Sequence, residues 1–189
     1  ATSATDSDFQ AGGGGKILQV VNATKLDTFS SSAMAGGAYV DVTDLSVAIT
    51  PASASNKIFV QVQYNGSCST ATPNYGTSFG IAIYKSATGI TDGLISIGDA
   101  DSNRSRTTSM FNNTAGDNSR NIYAIPLIIY DTTGTTNEIT YKVQLTQGQN
   151  SGSGISILHC NRTGGDGDNY SGMRATSTIT VMEIEVWQI

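Results

Sequence analysis

Apolar and polar residues alternate with period two along most of this chain, and the alternation predicts strands. The clearest run is 57–64, where Ile58, Val60, Val62 and Tyr64 share one face and Gln61 and Gln63 take the other. Similar runs at 17–21, 26–30, 39–43, 45–50, 78–85 and 93–98 predict further strands. So do those at 120–130, 138–145, 155–160 and 177–189. Gly, Asn, Asp and Ser separate them, and Pro51 closes the strand before it. Pro126 removes a ladder donor within 120–130, which places that strand at a sheet edge or on a bulge. No segment has helical spacing and no period repeats. The pattern is an all-β antiparallel sandwich or jelly roll of about ten strands.

The stretch 177–189 contains neither Gly nor Pro and reads as one strand running to Ile189. Ile179 and Val181 point to one face while Met182, Ile184 and Val186 point to the other, so the strand is apolar on both sides and belongs inside a sheet. It needs partners from earlier in the chain, and residues 17–21 are the expected neighbour. The fold therefore closes only once this strand is present. Glu183 and Glu185 predict that one face reaches water or another subunit part of the way along.

Composition agrees with strands joined by polar turns. Ser and Thr make up about a quarter of the 189 residues, charged residues only 13%, and three of the fifteen acids are Glu. The length suits one domain. Residues 1–15 are rich in Ala, Thr, Asp and Gly and read as a flexible arm, with the domain at 16–189. The net charge of −5, with basic residues scattered, argues against nucleic acid as a partner. No apolar run is long enough to predict a membrane-spanning helix.

Candidate chemistry is sparse. Asp99, Asp101 and Asn103 have the spacing that opens a calcium loop, but Arg104 stands where the turn glycine belongs and the closing Glu is missing. Asp166 and Asp168 lie in a Gly-rich turn. Neither predicts a metal site. His159 is the single histidine, within a strand, and no nucleophile elbow or phosphate loop accompanies it. No catalytic residue, cofactor or enzymatic activity is expected. Cys68 and Cys160 are expected as buried thiols. Tyr75 and Tyr170, both in loops, are candidate contacts for a sugar ring.

Four segments together resemble a family of virion proteins from tailed phages of marine and freshwater bacteria, cyanophages in particular. They are residues 15–21, residues 42–51 with Lys57, residues 97–100 with 104–107, and residues 177–184. The resemblance covers residues 16–184 and implies a β-sandwich knob of the kind labelled tail-fibre or structural protein, without implying a chemistry. Fibre proteins of that family carry long N-terminal shafts, whereas residues 1–15 form a short leader; this also suits a capsid-decorating or cement protein.

The expected role is therefore a non-enzymatic structural protein of a phage particle, located on the virion. Self-association is expected, as a homotrimer by analogy with other viral knobs. Other capsid or tail proteins are the further expected partners. The alternative is a receptor-binding module recognising host surface glycan. Residues 185–189 extend beyond the family pattern, and Trp187 and Ile189 are the candidate apolar contacts with a neighbouring subunit.

Overall fold

A computed structural model describes residues 15–32, 34, 36–70, 77–113, 120–148 and 156–186. They form eleven strands and no helix: β1 (Ile17–Lys25), β2 (Phe29–Ser30), β3 (Tyr39–Ile49), β4 (Lys57–Thr70), β5 (Thr77–Ala87), β6 (Gly93–Ile95), β7 (Ser109–Asn113), β8 (Tyr123–Thr132), β9 (Ile139–Gln147), β10 (Ser156–Cys160) and β11 (Ser177–Ile184). All pairings are antiparallel.

The eight principal strands form two sheets, β1-β11-β4-β8 and β3-β9-β5-β7. β10 and β2 extend the first sheet and β6 the second. The pairing is nested: β1 takes β11, β3 takes β9, β4 takes β8 and β5 takes β7. The chain is thus a long hairpin wound into two layers, which is the jelly-roll connection. The period-two alternation explains the layers. Ile58, Val60, Val62 and Tyr64 of β4 face Tyr141, Val143 and Leu145 of β9 in a fully buried core. At one margin Phe111 of β7 stacks on Tyr123 of β8, with ring centroids 3.6 Å apart, joining one sheet to the other.

β11 lies between β1 and β4, with Val181 opposite both Val21 and Val60, as its two apolar faces predict. The strand is shorter than the sequence suggests: it ends at Ile184, where Glu185 N–H bonds the Lys16 carbonyl and Val186 N–H reaches the Asn56 side chain. β8 borders β4 and is an edge strand among the described residues, one of the two placements that Pro126 predicts. The segments 39–43 and 45–50, read as two strands, form the one strand Tyr39–Ile49, whose register shifts around Asp44, at φ 60°. β7 has no counterpart among the strands that alternation predicts. Cys68 and Cys160 are buried and not disulfide-linked.

Glu183 departs most from expectation. Its parity with Ile179 and Val181 turns it inward, where it is completely buried instead of facing water or a subunit. The physical reason lies in its donors. Asn56 Nδ2 and the Ala52 backbone N–H reach one carboxylate oxygen at 2.6 and 2.7 Å, and Gln19 Nε2 reaches the other at 2.6 Å. Burial pushes the carboxyl up, but these donors and the neighbouring backbone outweigh it and hold the group below its ordinary range.

Candidate interaction surface

The outward positions of the first sheet carry an unexpected pattern. Strand pairing sets Val20 of β1 beside Met182 of β11, Met182 beside Phe59 of β4, and Phe59 beside Tyr130 of β8. One row of four large apolar side chains thus crosses four strands on the solvent face. Phe59 and Tyr130 meet edge to face, with centroids 5.1 Å apart. Val20 is 56% and Tyr130 67% exposed, and Ile128, one row away on β8, is 63% exposed. A large apolar residue alone on a surface is ordinary; four in register are not.

The rows on one side are neutral and polar. Asn22, Thr180 and Gln61 lead to Ile128, and Thr24, Thr178 and Gln63 lead to Pro126. Asn22 Nδ2 bonds Thr180 Oγ1 at 2.8 Å, so these side chains are organised across the sheet. On the other side Lys57 donates to Thr132 Oγ1 at 2.7 Å. Lys57 is the one charged residue among the described outward positions of these four strands, and none is acidic.

Tyr170 is fully exposed on the loop between β10 and β11, and Met173 nearby is 65% exposed. Asp166 fixes this loop by pairing with Arg162 at 3.2 Å and with Arg174. The hydrogen bond from Arg174 foremost, joined by the charges of Arg162 and Arg174, outweighs the opposing desolvation and holds the Asp166 carboxyl below its usual range. That carboxylate is therefore committed to guanidinium groups. A shallow hollow beside Tyr170 is lined by Arg120, Gly167, Asn169 and Ser171. Tyr75, Trp187 and Ile189 lie outside the described residues, as do residues 1–14 of the expected arm.

The loop at 98–106 and His159 make structural contacts of their own. Asp101 pairs with Arg104, and Arg106 Nε donates to the Gly98 carbonyl at 2.6 Å. Among the described residues no group of three His, Cys, Asp or Glu side chains is placed to hold a metal ion. His159 is buried between two hydroxyls, Ser30 Oγ at 2.9 Å from Nδ1 and Ser69 Oγ at 3.0 Å from Nε2. Burial foremost, then the charge of Arg162, lowers its pKa to about 4, against a weaker opposite effect of Asp166. A neutral ring held at both nitrogens by serines is a strut joining β2, β10 and β4, with no carboxylate orienting it as a triad needs.

No family model matches this chain, and no curated protein matches it. Among solved structures, a chain of infectious bursal disease virus strain Gx is similar at 19% identity and a TM-score of 0.43, over 90% of this chain and 38% of that one. The VP2 protein in T=1 particles of the same virus is similar at 16% identity and a TM-score of 0.43, over 89% of this chain and 36% of that one. A chain of the T13 particle of that virus gives 16% and 0.44, over 88% and 37%. This chain spans little more than a third of the length of these structures.

Proposed function

We propose that this protein is a non-enzymatic structural component of a phage particle, a jelly-roll knob or capsid-decorating protein that works as a homo-oligomer on the virion. The observation that carries the association is the apolar row Val20, Met182, Phe59 and Tyr130, exposed at its two ends and half-buried at its centre, on a sheet face whose described outward positions hold Lys57 as their one charge. Resemblance of residues 16–184 to cyanophage virion proteins supports the location. Residues 1–15 serve as the arm that docks on a neighbouring capsid or tail protein. Trp187 and Ile189 add apolar contact beyond the knob, and analogy with viral knobs supports a three-fold contact among the copies.

Purified particles test this reading directly. Quantitative mass spectrometry should find the protein in them, at hundreds of copies for a head-decorating role or a few for a tail-tip role; its absence from the particles rejects the proposal.

A second reading is supported by the exposure of Tyr170 beside the polar hollow at Asn169 and Ser171: a receptor-binding module stacking a host sugar on Tyr170, with Tyr75 as a further contact. Binding on a glycan array that is lost in Tyr170→Ala supports it, and binding unchanged in that variant removes Tyr170 from the contact.

A further inference from the structure

We infer that the outer face of the β1-β11-β4-β8 sheet is a two-fold contact that pairs this chain with a second copy of itself, an inference that rests on the homo-oligomer reading above. The first argument is charge. The chain carries a net −5, so two copies repel over most of their surface. Its acids are kept off this face, whose described outward positions hold Lys57 alone. Two copies can meet here without bringing acids together. A basic partner would find no carboxylate on the face, and an acidic partner would find a single lysine already bonded to Thr132. The face selects a neutral, apolar surface with an amide and hydroxyl margin, and a second copy supplies one.

The second argument is shape. The row runs across the strands, so a copy turned by a half rotation about an axis lying in the contact plane, parallel to the strands and between β11 and β4, faces the first and lays its own row along it, with Tyr130 and Ile128 near Val20 and Asn22 of the partner copy. Sheets pack in this way at about 10 Å, with side chains interdigitating. Four strands about 4.8 Å apart and eight residues long give roughly 500 Å² in projection, which side-chain relief raises toward the ~600 to 1,000 Å² per partner of a stable complex. Self-complementary faces make isologous contacts, which close in pairs. Assemblies built with this face therefore contain an even number of chains: two alone, or six when a three-fold contact elsewhere also operates.

Native mass spectrometry and sedimentation of the full chain at micromolar concentration test this. The wild-type protein should contain two or six chains. Ile128→Lys combined with Tyr130→Lys, at exposed positions, should halve that number while the β-sheet circular dichroism is retained. Val20→Lys, on the opposite edge of the same row, must produce the same halving, which serves if the double variant folds poorly. An odd count, or a wild-type count kept by a folded variant, overturns the two-fold contact. A trimer insensitive to these changes leaves the homo-oligomer standing and removes only this face, whereas a monomeric wild-type protein removes both.

Discussion

The Nδ2 of Asn56 lies 2.6 Å from the carboxylate of Glu183, and both residues are buried. Through this contact the turn at 51–56 is tied to the inward face of β11, with Ala52 and Gln19 completing a shell of uncharged donors around the carboxylate. Glu183→Ala removes the acceptor and leaves three donors to be desolvated without it, at a cost of about 3 kcal/mol or more. Glu183→Gln keeps the shape but turns an amide N–H₂ toward donors. It should therefore fail to restore full stability. Urea denaturation of both variants checks this, and wild-type stability in either would mean that the shell is dispensable.

Acid should act through two buried groups. The folded pKa of His159 is about 4 against an ordinary 6.5, so above about pH 6.5 the ring is neutral in both folded and unfolded chains and contributes no pH dependence. Between about 6.5 and 4 the unfolded chain takes up a proton that the folded one refuses, and stability falls by up to about 3 kcal/mol. Glu183, with its folded pKa lowered, adds stability above its ordinary 4.5 that is lost as pH falls further. The expected signature is a decline in denaturation midpoint beginning near pH 6, where carboxylates are still ionised. His159→Gln should flatten that part of the profile; a decline unchanged in the variant assigns the effect elsewhere.

At Gly66 there is no room for a side chain. A Cβ there would collide with the His159 carbonyl and with the Tyr64 hydroxyl, which itself donates to that carbonyl at 2.7 Å. Gly66→Ala must displace β10 from β4 or break the tyrosine bond. A loss of about 2 to 4 kcal/mol is expected, against about 1 for Tyr64→Phe, which removes only the hydroxyl. Thermal melts rank the two, and a Gly66→Ala variant as stable as the parent contradicts the packing.

Lys85 of β5 and Asp131 of β8 join the two sheets across 2.6 Å, and Tyr141 donates to the same carboxylate at 2.7 Å. Replacing one partner strands a largely buried charge. Asp131→Ala should therefore cost about 3 kcal/mol, while Lys85→Met with Asp131→Leu recovers most of the loss. Equal losses in the single and double variants would mean that the pair is not coupled.

Much of the architecture can be read from the residues because a jelly roll is built from alternation, and alternation is local. The central place of β11 follows from apolar residues on both of its faces, and the edge place of β8 from Pro126. Reading fails where the signal is short or interrupted. β7 offers only Met110 and Phe111 as apolar residues, and Asp44 breaks the parity of β3 without ending it. The inward side chain of Glu183 is legible from its parity with Val181; its donors, Gln19, Ala52 and Asn56, are not, because they lie far away in sequence. The same holds for the candidate surface. Val20, Phe59, Tyr130 and Met182 each look ordinary alone, and they become a row only through the register of strands from both ends of the chain.

The nested pairing also sets an order of events. In β5 with β7 the partners are close in sequence, whereas Val21 must wait for Val181, so contact order rises from the innermost pair to the outermost. During synthesis the edges of β1 and β4 that β11 will occupy emerge long before it does. They are template edges for other nascent chains throughout that interval, so low temperature or slow expression should favour soluble protein by limiting encounters before the last strand arrives.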